Sequence, residues 1–211
     1  MNIKSSLLSL VLTGISIISG CGDPTQEHLA RTIQADSFKW ELLNAHPPKD
    51  EEGISNYLNN AITYGAENEE LWMSPKTCVT RGYGDCDDIG ILGAYLAGKL
   101  GYPRQIIAVG EMKREEFKGG HVLTLLEKQE NGKTKYGLLG SGAVFDPIFN
   151  SPDDLVRTLN ARNREVEPKH KLWNCYKIFN LDSSCFPEDW ATTEKNLFDE
   201  KIGLKGYTKL K

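Results

Sequence analysis

Apolar residues change their spacing along the chain, and each change predicts an element. The first apolar stretch, Leu7 to Ile18, is shorter than the about 20 residues that a membrane-spanning helix needs. Residues 27–43 are polar with scattered apolar positions and predict a helix. Ile54, Tyr57, Leu58, Ala61 and Ile62 recur with helical spacing and predict a helix over 52–64. Leu71 to Pro75 reads as an approach loop, and Gly82-Tyr83-Gly84-Asp85 as a turn. A helix should begin directly after it. Asp85 suits the N-cap and Asp88 stands three residues on, the spacing of a capping box. Ile89, Leu92, Leu96 and Leu100 mark one face of this helix, and Gly90, Gly93, Ala94 and Ala97 would let it approach a neighbour closely. Gly101-Tyr102-Pro103 stops it.

Strand patterns follow. Gln105–Val109, Val122–Leu126, Tyr136–Leu139 and Ala143–Phe145 are short apolar runs, with Asn131-Gly132 as a hairpin turn between two of them. Ser151-Pro152-Asp153-Asp154 opens a further helix with proline in its first turn. The tail, Leu172 to Lys211, is rich in aromatics and is expected to wrap the core. Helices, a central helix and then an antiparallel run of strands predict an α+β domain.

The first residues change the picture. Lys4, the apolar stretch and Ile18-Ser19-Gly20-Cys21 come in the order of a secretory leader. The tetrapeptide resembles the bacterial lipobox, which implies a signal peptide over 1–20 and lipidation of Cys21. The expectation is a lipid-anchored protein of the bacterial cell envelope, facing the periplasm or the exterior. Residues 21–211 then form a single domain, with a core about 50–150 and a C-terminal extension over 151–211. The chain carries 25 Lys and Arg against 29 Asp and Glu, a formal net charge of −4. With no basic cluster, nucleic acid is excluded as a partner.

Cys175 and Cys185 lie ten apart and are a disulfide candidate in an exported chain. Cys78 and Cys86 lie eight apart, and a disulfide there would remove the free thiol on which the chemistry below depends.

Cys86 is expected in the first turn of the central helix, where amide groups and the helix dipole stabilise a thiolate. Neighbouring Asp85, Asp87 and Asp88 oppose that charge. A cationic imidazole would offset them. Of the four histidines, His121 alone opens an apolar strand, after Gly119-Gly120 and 35 residues beyond Cys86. Asp146 ends an apolar run before Pro147 and is the candidate to orient the imidazole, with Asn150 in reserve.

Trp72-Met73-Ser74-Pro75 followed by Gly84-Asp85-Cys86-Asp87-Asp88 resembles the bacterial transglutaminase-like cysteine peptidases. The likeness covers about Leu71 to Ile148. It implies a transglutaminase-like (papain-like) core, with the central helix packed on an antiparallel sheet. It implies a Cys86–His121–Asp146 triad for thiol-dependent acyl transfer. The acceptor would be water in a cysteine peptidase or amidase, or an amine in a transglutaminase. Its partner would be a protein or peptide of the cell envelope. Cys78 and the tail after Asn150 depart from the family pattern. The backbone N–H of Cys86 is the first oxyanion donor, and Trp72 or Tyr83 could supply a second. No cofactor is expected. Calcium on Asp85 and Asp87 is the rival metal reading, against helix capping by the same carboxylates. A non-catalytic envelope binding or scaffold module with a vestigial or disulfide-blocked triad is the alternative to an enzyme.

Overall fold

The computed structural model describes residues 38–65, 72–114, 116–140, 143–169, 171–181 and 207–210. The expected leader, Cys21, most of the helix expected over 27–43 and Cys185 lie outside them. Residues 38–45 are helical, and Leu43 joins the core.

Helix α1 (Glu51–Ala61) starts at Asp50, whose carboxylate accepts the Gly53 amide at 2.7 Å. It ends before Tyr64, earlier than its apolar spacing predicts. Ile62 is extended, and Thr63–Tyr64 forms strand β1, paired in parallel with strand β2 (Tyr83–Gly84). The β-branched pair Ile62-Thr63 favours that exit. A short helix, α2 (Pro75–Arg81), lies where the sequence showed only a loop and a turn. Ser74 caps it, Pro75 occupies its first turn, and Gly82 closes it at φ 69 in the left-handed region that glycine adopts freely.

Helix α3 (Cys86–Lys99) begins at the expected residue, with Asp85 as N-cap and the Asp85–Asp88 capping box complete. Strands β3 (Gln105–Lys113), β4 (Glu116–Glu130), β5 (Lys133–Gly140) and β6 (Ala143–Phe149) follow, each running beyond its apolar run. Between β4 and β5, Asn131 and Gly132 both have positive φ, as a tight two-residue hairpin requires. Helix α4 (Pro152–Val166) starts on the Ser151 cap. The tail adds β7 (Cys175–Asn180) and β8 (Thr208–Lys209). The six-stranded sheet has the order β6-β5-β4-β3-β7-β8, with every neighbouring pair antiparallel.

Helices cover both faces of this sheet, which makes the architecture α+β in three layers. Side chains alternate across a strand. Ile106, Ala108, Val122 and Leu126 share clusters with residues of α3, while Ile107, Val109, Leu123 and Leu125 pack with Leu155, Val156 and Leu159 of α4. Burial on both sides is why the strands read as unbroken apolar runs rather than alternating ones. The small residues of α3 act as expected. A Cβ on Gly93 would clash with Thr124 Oγ1, and Thr124 donates to the Gly90 carbonyl at 2.9 Å. The helix therefore lies directly against β4, and its N-terminus reaches the end of the sheet where His121 begins its apolar run. Among the described residues, no helix is long and apolar enough to cross a membrane.

Candidate active site

The Gly-Asp-Cys-Asp-Asp segment builds a fixed helix start. Asp88 is fully buried, and its two oxygens take different amides: Met73 N–H at 2.6 Å and Asp85 N–H at 3.2 Å. Asp85 accepts the Asp87 amide at 3.3 Å. Gly84 is required because any Cβ there would overlap the Asp88 side chain. Gly84, Asp85 and Asp88 thus all have structural work at this turn, and Cys86 is the first helical residue they present.

The half-buried Cys86 thiol accepts a hydrogen bond from the Val122 amide, and the Tyr64 hydroxyl bonds to its sulfur. Burial pushes the thiol up to about 12. The Val122 amide and its own amide oppose the shift, and Asp87 and Asp85 add to it. Burial likewise pushes Asp87 up to about 10, aided by its hydrogen bond to Asp85 and by the charges of Asp85 and Asp88. Asp87 therefore carries its proton at neutral pH.

His121 is half-buried, pairs across the ladder with Val109, and lies on the α4 side of the sheet by strand alternation. Its ring stacks on Trp173, with centroids 6.1 Å apart and planes within 13°. The thiol thus reaches the backbone of the residue next to His121, while the imidazole packs on the other layer.

Asp146 does not join them, which corrects the expected triad. Its main chain lies over Gly137, and Gly137 pairs with Leu126. Leu126 is five residues from His121, roughly 17 Å along the strand. Asp146 is exposed, and its charge acts on Tyr102, beyond the far end of α3. The apolar run before Asp146 suggested a buried carboxylate, but β6 is an edge strand, and the acid reaches solvent there. Asn150 is also engaged elsewhere, accepting from Lys135 Nζ at 2.6 Å. At the His121 end of β5 stands Gly140, which has no side chain to offer.

The two oxyanion candidates take different environments. Trp72 is buried, meets Phe179 edge to face, and packs with Ile91 and Val122. It packs at the Asp88-tethered segment. Tyr83 is 42% exposed on β2 opposite Thr63, and Tyr64, which pairs with Gly84, is the tyrosine that meets the sulfur. Sequence reasoning missed Tyr64 because a two-residue strand leaves no periodic signal. It missed Trp173 because the aromatic tail carried no marker of register.

Cys78 is a buried thiol on α2 and is not disulfide-bonded to Cys86. Cys175 is also free, and its thiol donates to the Gly110 carbonyl at 3.3 Å; its expected partner, Cys185, lies outside the described residues. Ligand atoms of Asp85, Cys86 and Asp87 lie within 4.8 Å of one another. They do not suit calcium, which takes six to eight hard oxygens. One of these groups is a thiol, and neighbouring Asp88 is committed to two amides.

Comparison with family models and with curated proteins gives no match.

Proposed function

We propose that this chain is a transglutaminase-like thiol acyl-transfer enzyme of the bacterial envelope. Cys86 is the nucleophile and His121 the base, and the favoured reaction is hydrolysis of a peptide or amide bond. The observation that carries the reading is the Val122 amide on the Cys86 thiol. It sets a helix-start cysteine beside the strand residue that follows the histidine. The helix start supplies amide donors, and a papain-like core uses the same arrangement of helix and antiparallel sheet.

The chemistry follows from these groups. The His121 ring turns from the α4 side toward the helix start and takes the Cys86 proton, and the sulfur forms a bond to the substrate's carbonyl carbon. The C–N bond then breaks, with the amine leaving as it takes the proton from His121. Water adds to the thioester with His121 as base, and the sulfur leaves. An amine in place of water gives transamidation. Lipidation of Cys21 would hold the enzyme at a membrane, with envelope proteins or peptides as substrates and without cofactor.

A second reading has its own observation. A thiol pushed up to about 12, with Asp146 at the other end of α3, suits a non-catalytic envelope module on the same fold. Incubation of the full chain with peptides from envelope proteins separates the two. An enzyme gives cleaved peptides and a thioester adduct on Cys86. Cys86→Ser and His121→Ala each lose about 100-fold or more in rate. Equal turnover in wild type and both variants, or none in any, leaves the scaffold reading.

A further inference from the structure

His121 and Cys86 face different layers, and the His121 ring stacks with Trp173. Trp173 lies under the imidazole on the α4 side, just before β7. Its own position is set by a clamp. Asn160 of α4, 7% exposed, accepts the Trp173 amide at 3.0 Å and donates to the Trp173 carbonyl at 2.8 Å. Asn160 is in turn held beside Leu159, Val156 and Leu155, which anchor α4 in the core. The Trp173 main chain is therefore tied to α4, and its side chain packs with the same apolar cluster. Near-parallel rings at this spacing attract beyond simple burial, and an indole face stabilises a cationic ring above it.

We propose that Trp173 is a positioning residue for His121: clamped by Asn160, it keeps the imidazole on the α4 face and sets how readily the base reaches the Cys86 thiol. The inference rests on the reading of Cys86 and His121 as nucleophile and base. The expected carboxylate orienter, Asp146, lies away from this end of the sheet, and an aromatic ring packs on the imidazole here.

The test uses the full chain and two readouts. The first is the NMR signal of the His121 Cε1–H, which stacking on Trp173 displaces upfield. The second is the rate at which iodoacetamide alkylates Cys86, followed by mass spectrometry from pH 6 to 9. In that reaction the sulfur bonds to the methylene carbon, iodide leaves, and the base takes the thiol proton. Trp173→Ala should remove the upfield displacement and raise alkylation about two- to tenfold, the range a single ring stack controls. Its pH profile should gain a step near the imidazole range, about 6 to 7. Asn160→Ala should act in the same direction. Trp173→Phe should keep the wild-type rate, and the gain should vanish in the Trp173→Ala/His121→Ala double variant.

An undisplaced His121 signal in the wild type, no acceleration in Trp173→Ala, or a gain that survives the loss of His121 overturns the proposal. If the ring is undisplaced while peptide hydrolysis still needs His121, Trp173 alone loses its role. If the stack is intact but neither hydrolysis nor alkylation depends on His121 in any background, the catalytic reading fails and the positioning role fails with it.

Discussion

Asp88 and Met73 are joined by a 2.6 Å hydrogen bond from the Met73 amide to a fully buried carboxylate. That bond ties the Trp72-Met73-Ser74 segment to the start of α3, and the other oxygen of the same carboxylate closes the capping box on Asp85. Two motifs separated by a helix in sequence are therefore one structural unit, with Cys86 at its centre.

Asp88→Ala should cost about 2–4 kcal/mol of stability, from a lost cap and a buried amide left without its acceptor. Asp88→Asn keeps one acceptor oxygen and should cost less. Denaturant titration of both variants measures this. A loss below about 0.5 kcal/mol for the alanine variant would show that the tether is not needed.

The packing of α3 on β4 gives a second expectation. Gly93→Ala places a methyl group against Thr124 and should destabilise by about 1–3 kcal/mol. Adding Thr124→Ala should return part of that loss, because it removes the atoms in conflict. Non-additivity in a double-mutant cycle by chemical denaturation is the check. Strict additivity would mean that the two sites do not touch.

Much of this was legible in the sequence where local chemistry decides structure. The α3 start followed from Asp85 and Asp88, its close packing from Gly90 and Gly93, and the β4–β5 hairpin from Asn131-Gly132. Strand interiors were legible from their apolar runs, but not the face each side chain takes, since both faces are buried. That ambiguity is what hid the placement of His121 opposite α3. Asp146 failed for a related reason. Distance along the chain gave no register, and β6 pairs so that its acid falls five β4 residues beyond His121. Helix α2 was missed although Ser74-Pro75 and Gly82 bracket it, because seven residues are too few for a clear periodicity.

The free-thiol assignment predicts a simple labelling pattern. In the native chain, Cys86 should react with a small alkylating agent, while Cys78 and Cys175, both fully buried, should stay unmodified until denaturant is added. Mass spectrometry of peptides from non-reduced protein reads this directly. Recovery of a Cys78–Cys86 linked peptide from native protein would contradict it and support a disulfide-blocked site.

Cys86 should alkylate slowly at neutral pH and accelerate about tenfold per unit up to pH 10 without a plateau, because burial, with Asp87 and Asp85, raises the thiol to about 12. Asp85→Asn removes a negative neighbour, lowers the thiol's affinity for its proton, and should speed the reaction at pH 8. A plateau below pH 9 in the wild type would mean that a cation already offsets the acids.

Asp87 gives the pH dependence of stability. Its carboxyl moves from an ordinary 3.8 to about 10 on folding, so between those values the folded chain binds the proton more tightly than the unfolded one. Where the folded state holds the extra proton, stability falls as pH rises. The contribution is fully present below about 3.8, and it declines through neutral pH until the folded group itself ionises near 10. Asp87→Asn resembles the protonated acid and has nothing to titrate. The variant should match wild type at low pH and exceed it increasingly from pH 5 to 9, with no comparable decline across that range. Urea unfolding at several pH values measures the difference. Parallel curves for the two proteins would show that Asp87 is ionised in the fold. Its charge would then weigh on Cys86 at neutral pH as well.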